Sequence, residues 1–208
     1  MGLNNRIHKF EKLNEPQQEI LELLFKLVKY VENREQYSVG HSERVAYYAK
    51  KIGKRLNLPP EKLDKLELAG YLHDVGKISI SDVILQKTAP LTFEERLIIQ
   101  QHPLTSCEIL SPFNFLRPII PAVKYHHERW DGSGYPEGLK EKEIPLEARI
   151  LGIVDSFEAL SSKRPYRNKF TIGKIFEIFE KNSGILFDPE ITEIFIDIMK
   201  SDTITLYF

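Results

Sequence analysis

Histidine and aspartate are placed along this chain in a way that could hold metal ions. His41, His73-Asp74, His102 and His126-His127 account for five of its six histidines, and Asp155 stands further on. Imidazole and carboxylate together suit a borderline divalent transition ion. Each run lies among apolar neighbours, as in Gly70-Tyr71-Leu72 before His73 and Gly152-Ile153-Val154 before Asp155. Any one of them alone reads more simply as a hydrogen-bonded core or surface residue, as His8 does in the polar N-terminus; the set points to metal. The densest stretch is His126-His127-Glu128-Arg129-Trp130-Asp131-Gly132-Ser133-Gly134-Tyr135-Pro136. Adjacent helical positions point about 100° apart, so the histidine pair suits a helix end, from which it can reach two ions side by side. The glycines then let the backbone turn sharply and pass close to whatever sits there.

Those residues need helices to position them. An amphipathic helix from Pro16 carries Ile20, Leu23, Leu24, Leu27, Val28 and Val31, and residues 1–15 read as a polar appendage. A second helix, marked by Val45, Tyr48, Ile52 and Leu56, holds His41 in its first turn. A third, with Leu63, Leu66, Ala69 and Leu72, ends near His73-Asp74. Thr92 and Glu95 form a capping-box pattern that opens a helix leading to His102. Pro103 starts a short helix and residues 118–127 another; 128–144 have the composition of a surface loop. A long helix from Pro145 carries Asp155, Phe176 and Phe179 belong to a core stripe, and Asp188-Pro189 reads as the N-cap and first residue of the last helix. Period-2 alternation is confined to the 203–208 tail. The fold class is all-α, with residues 16–208 as one domain.

The charge balance, 29 basic against 30 acidic residues for a net −1, supplies no global field for gripping nucleic acid or an anionic membrane. No apolar run approaches the length of a membrane span. Cys107 is the only cysteine, which fits a reducing cytoplasm.

Taken together, the motifs resemble the HD-GYP family, a branch of the HD phosphohydrolase superfamily. They are Gly40-His41-Ser42-Glu43-Arg44-Val45, Leu72-His73-Asp74-Val75-Gly76-Lys77, His102-Pro103 and the His126–Pro136 stretch. Asp155-Ser156-Phe157-Glu158-Ala159-Leu160 with Arg164-Pro165-Tyr166-Arg167 complete the set. The resemblance covers about residues 30–200 and implies an HD-domain helical bundle with a GYP surface loop (Asp131, Gly132, Gly134, Tyr135, Pro136). It also implies two divalent metal ions per chain, iron or manganese, and hydrolysis of cyclic di-GMP to pGpG and GMP by a metal-bridging hydroxide. His41, His73, Asp74 and Asp155 would hold one metal, with Asp74 bridging to a second held by His102, His126 and His127. Lys77, Arg164 and Arg167 would contact phosphate. Tyr135 and Trp130 would either stack on guanine or pin the loop to the core.

The chain departs from the family pattern at Tyr37, where some members carry a glutamate that supports a third metal; this predicts a binuclear site. Glu35 lies two residues from the required position, on another face of the helix. Glu158 replaces an aspartate, Ser106 a glycine, and Thr88-Ala89-Pro90 a proline-glycine. Two alternatives follow: a signalling module that binds cyclic dinucleotide with little turnover, or a nucleotide phosphohydrolase of the wider superfamily. A diguanylate cyclase, a sensor domain or a second copy of the chain would dock on the GYP loop or the first helix.

Overall fold

A computed structural model describes residues 13–35, 39–162 and 169–205, with side chains to 202. Among them the chain is helical, without a β-sheet. Helix α1 (Glu15–Arg34) opens with a capping box between Asn14 and Gln17. Its buried stripe is Leu21, Leu24, Phe25, Val28 and Val31, while Leu23 is 65% exposed. Leu24, Val28 and Val31 of the expected stripe are buried and Ile20 and Leu27 pack against the core, but Leu23 turns outward while Leu21 and Phe25 turn inward, Phe25 meeting Tyr71 at 5.1 Å between ring centroids. Docked this way, α1 is part of the body of the fold.

Helix α2 (His41–Arg55) packs on α3 (Pro60–Leu72) and on α8 (Leu146–Ser161). Its buried face is Val45, Ala46, Ala49 and Ile52, and the two alanines let α3 come close. Tyr48 meets Phe157 and Phe195 edge-on. After α3 the chain turns at His73-Asp74 into a 3-10 segment (Val75–Ser79), then a four-residue α4 (Asp82–Leu85) that the sequence did not announce. Helix α5 (Phe93–Ile99) has the expected Thr92–Glu95 capping box, and α6 (His102–Leu110) begins at His102. The helix expected over 118–127 is divided. Pro118 lies in a 3-10 segment (Asn114–Ile119), and α7 (Ile120–Tyr125) stops before the histidine pair.

Helix α9 (Ile172–Asn182) buries Ile175 and Phe179. Helix α10 (Pro189–Thr205) is N-capped by Asp188, whose Oδ1 accepts from Glu190 N and Ile191 N. It stays helical through Thr205, so residues 203–205 form no strand. One cluster of buried apolar side chains runs from Leu21 to Met199, with Ile150, Leu151, Ile153 and Val154 of α8 inside it. Among the described residues no helix is long and apolar enough to cross a membrane.

Candidate metal centre

The seven expected donors converge, six of them at helix ends and Asp155 from within α8. His41 is the first residue of α2; Gly40 before it has no side chain to cap the helix. Glu32 of α1 does that work across space: its Oε1 accepts from Ser42 N at 2.7 Å and its Oε2 from Gly40 N at 3.1 Å. His73 follows α3, His102 starts α6, and His126 follows α7. In each of these three the ring Nδ1 faces a carbonyl three residues back, on Gly70, Ile99 and Val123, at 2.8, 2.7 and 2.6 Å. A carbonyl only accepts, so Nδ1 carries the proton and Nε2 is turned inward.

Two groups of donors result: His41, His73 and Asp155, and Asp74, His102, His126 and His127. Within each, the donor atoms all lie within 4.8 Å of one another. Asp74 faces both groups. Its Oδ2 is 3.3 Å from His73 Nε2 and 3.7 Å from His41 Nε2, and its Oδ1 is 3.0 Å from His102 Nε2 and 3.8 Å from His126 Nε2. His41 Nε2 is 3.3 Å from Asp155 Oδ1. The adjacent His126 and His127 fall in the same group, rather than reaching two separate ones.

This donor set fits a divalent cation. Asp74 Oδ1 is buried without a well-aligned hydrogen bond, even though His102 is in reach. Nε2 atoms oppose each other at 3.3 Å (His41 and His73) and 3.4 Å (His102 and His126). With Nδ1 protonated, facing Nε2 lone pairs need a proton or a cation between them. Burial, then the neighbouring His102, holds the His127 pKa down to about 3; burial and His127 lower that of His126 as well. Burial also works against a charged His73, but the Asp74 carboxylate outweighs it and raises that pKa to about 9. His126 and His127 are thus neutral imidazoles, the form that ligates metal. Burial opposes ionisation of Asp74 and Asp155; His73 and Lys77 around the first, and His41 beside the second, keep both ionised.

Lys77 Nζ lies 2.7 Å from Asp74 Oδ2 and 3.2 Å from Glu35 Oε1. Glu35, expected on another face, thus reaches the site as the residue that caps the C-terminus of α1, where the backbone has left the helix. The sequence reading also missed Glu32, for which one signal existed: an acid one turn beyond Val28, on the buried stripe. Ser106 Oγ accepts from Gly76 N and donates to His73 O, each at 2.8 Å, locking the His73-Asp74 turn onto α6.

The loop after the histidines is pinned to the body. Trp130 N and Asp131 N donate to Leu186 O and Ile185 O, and Tyr135 N to His127 O. Glu128 Oε1 accepts from Glu137 N at 2.7 Å and Gly138 N at 3.0 Å. Tyr135, before the cis peptide to Pro136, lays its ring 4.8 Å from that of His127. Gly134 is required here, since a Cβ would come within 2.4 Å of Arg129 N. Trp130 lies under the Arg149 guanidinium at 5.8 Å, so its pinning role is visible. Tyr37, Arg164 and Arg167 lie outside the described residues.

A family model described as "HD domain" matches residues 27–191. A cyclic di-GMP phosphodiesterase of Thermotoga maritima is 40% identical over 189 residues, covering 89% of this chain and 50% of that protein. A 3'3'-cGAMP-specific phosphodiesterase of Vibrio cholerae is 40% identical over 165 residues, covering 78% of this chain and 35% of its own length. This chain therefore spans half or less of these relatives. The crystal structure of a cyclic GMP-AMP specific phosphodiesterase from V. cholerae superposes with a TM-score of 0.65 at 20% identity, over 86% of this chain and 48% of that one; it shares the fold. The chain belongs to the HD-domain family, in its HD-GYP branch.

Proposed function

We propose that this chain is a metal-dependent phosphodiesterase that hydrolyses cyclic di-GMP to linear pGpG and on to GMP. The observation that carries the reading is Asp74, which turns one carboxylate oxygen to each of two histidine-rich donor groups in a single buried site. His41, His73 and Asp155 would hold one divalent ion and His102, His126 and His127 the other, with Asp74 shared and iron or manganese preferred. Such a pair of ions, when bound, supplies Lewis acidity to the phosphate and acidifies water.

The chain's own residues do the rest. The three Nδ1–H···O=C bonds fix the imidazoles, so little reorganisation is needed at the site. Lys77, a partly buried cation between Asp74 and Glu35, meets a non-bridging phosphate oxygen. Tyr135 shields His127 from solvent and borders the substrate. Arg164 and Arg167 are read as further phosphate contacts on the family resemblance. The names of the two curated relatives share a guanine-containing cyclic dinucleotide, which supports that substrate class.

Residues 16–208 are read as one domain, with 1–15 an appendage and Cys107 fitting a reducing cytoplasm. A diguanylate cyclase, a sensor domain or a second copy would cover Leu23 and Tyr30 on α1, 65% and 58% exposed.

The test is metal content and cyclic di-GMP turnover on protein reloaded anaerobically with Fe²⁺ or Mn²⁺. Two ions per chain, with both metal and turnover lost in Asp74→Ala, is the expected result. Metal-loaded protein that leaves every cyclic dinucleotide intact would overturn the reading.

A further inference from the structure

One cation beside the donor groups is held from outside them. Lys77 Nζ lies 2.7 Å from Asp74 Oδ2 and 3.2 Å from Glu35 Oε1, and the two side chains of the outer pair are 20% and 13% exposed. An ammonium carries three N–H donors. Asp74 and Glu35 take two of them, and between them they fix the direction of the third. Glu35 belongs to neither donor group. The backbone on both sides of the pair is held as well. Arg34 gives its guanidinium to Ile78 O, Ile80 O and the Asp82 carboxylate, so the end of α1 and the 3-10 segment that carries Lys77 keep one register.

Asp74 alone is a poor anchor for that ammonium in a loaded site. Its Oδ2 is also 3.3 Å from His73 Nε2 and 3.7 Å from His41 Nε2, so it is the oxygen that these two donors share with an ion. A divalent ion there draws Asp74 Oδ2 to itself and repels Lys77. The donor groups contain two carboxylates, Asp74 and Asp155, which offset half the charge of two such ions. Glu35 is then the carboxylate that keeps the ammonium in place.

We propose that Glu35 is a positioning residue for phosphodiester hydrolysis: it holds the Lys77 ammonium beside Asp74 so that the third N–H meets a non-bridging oxygen of the scissile phosphate. The inference rests on the phosphodiesterase reading and adds to it the residue that lets a lysine stay next to bound metal. Glu35 itself touches neither metal nor substrate and acts only through Lys77. An N–H aimed in advance at charge that grows in the transition state needs no reorganisation during the reaction. A lysine free to rotate along its side chain would have to be ordered anew in each turnover.

The test is a double-mutant cycle on the full chain, loaded anaerobically with Mn²⁺ and built from Glu35→Gln, Lys77→Met and the two together. Glutamine keeps the length of Glu35 and removes its charge; methionine does the same for Lys77. Glu35→Gln should lower kcat/KM for cyclic di-GMP by about tenfold or more, the weight of a hydrogen bond to a charged group, with metal content at the wild-type value. In the Lys77→Met background the same change should alter kcat/KM by less than about twofold, because nothing is left to position. A structural role for Glu35 would add its full cost in both backgrounds. The same four proteins are titrated calorimetrically with inorganic phosphate, which needs no turnover, and affinity should follow the same pattern. Equal effects of Glu35→Gln with and without Lys77, no effect with Lys77 present, or loss of metal in Glu35→Gln would overturn the assignment. Turnover with additive effects removes the positioning role and leaves the phosphodiesterase. Coupled phosphate binding without turnover of any cyclic dinucleotide does the opposite, and loaded protein that neither binds phosphate nor turns over overturns both.

Discussion

Arg44 and Glu158 each stand three residues after a proposed ligand, His41 and Asp155, and their side chains meet at 2.5 Å. One helical turn beyond the point where His41 touches Asp155, the same two helices are clamped again. Glu158, longer than the aspartate common in the family, reaches from α8 to α2 while only 3% exposed.

Arg44→Met strands that carboxylate. Breaking a buried pair costs several kcal/mol, and because the arginine side chain is 43% exposed the loss here is set at about 1–3 kcal/mol. Urea unfolding should show it, with weaker metal retention because His41 and Asp155 lose their alignment. Unfolding midpoint and metal content both at wild-type values would rule the clamp out.

Glu32→Ala removes the side-chain acceptor that caps the N-terminus of α2, since Gly40 offers none. Stability should fall by about 1–2 kcal/mol, as for loss of a cap. Metal affinity should drop by about 10–100-fold, the usual result when a supporting partner is lost. Glu32→Gln, which can still accept one of the two bonds, should fall in between. Isothermal titration on the three proteins decides the order.

Gly76→Ala would place a Cβ 2.2 Å from His102 O and 2.5 Å from Ser106 N, all backbone atoms with nowhere to move. The 3-10 segment must then lift off α6 and separate His73 from His102. We expect a loss of about 1–3 kcal/mol or more together with loss of metal binding. An alanine variant that keeps its full complement of ions would contradict the close approach.

In chelator, stability should peak near pH 6.5 and decline on both sides. The unfolded chain takes up protons on His126 and His127 below 6.5, while the folded chain refuses them (His127 until about 3), so stability falls as pH drops. His73 acts the other way. Its folded pKa is raised to about 9, so its contribution is complete below 6.5 and is lost as pH climbs to 9. Each group adds a slope of up to about 1.4 kcal/mol per pH unit, which makes the acid side the steeper one. Urea unfolding at a series of pH values checks this; stability rising steadily through to pH 9 would refute it.

What lay open in the sequence was local. Thr92 with Glu95, Asp188 before Pro189, and the histidines at the ends of apolar stripes are short-range patterns, legible because a cap or a helical face depends on residues a turn away. The seven donors could be named because their residue types fit one chemistry and their motifs match a family. Tertiary structure decided what depends on contacts between distant segments. Phe25 set how α1 lies by packing on Tyr71, far away in the chain. That placement brought Glu32 to the first turn of α2 and Glu35 to Lys77, two contacts that residue spacing does not encode. The division of the donors into two groups about Asp74, and the buried Asp74 Oδ1 without a well-aligned hydrogen bond, likewise exist only once α1, α2, α3, α6, α7 and α8 are packed. A helix's own periodicity says which face is apolar; only its neighbours say which of its polar atoms are left without water.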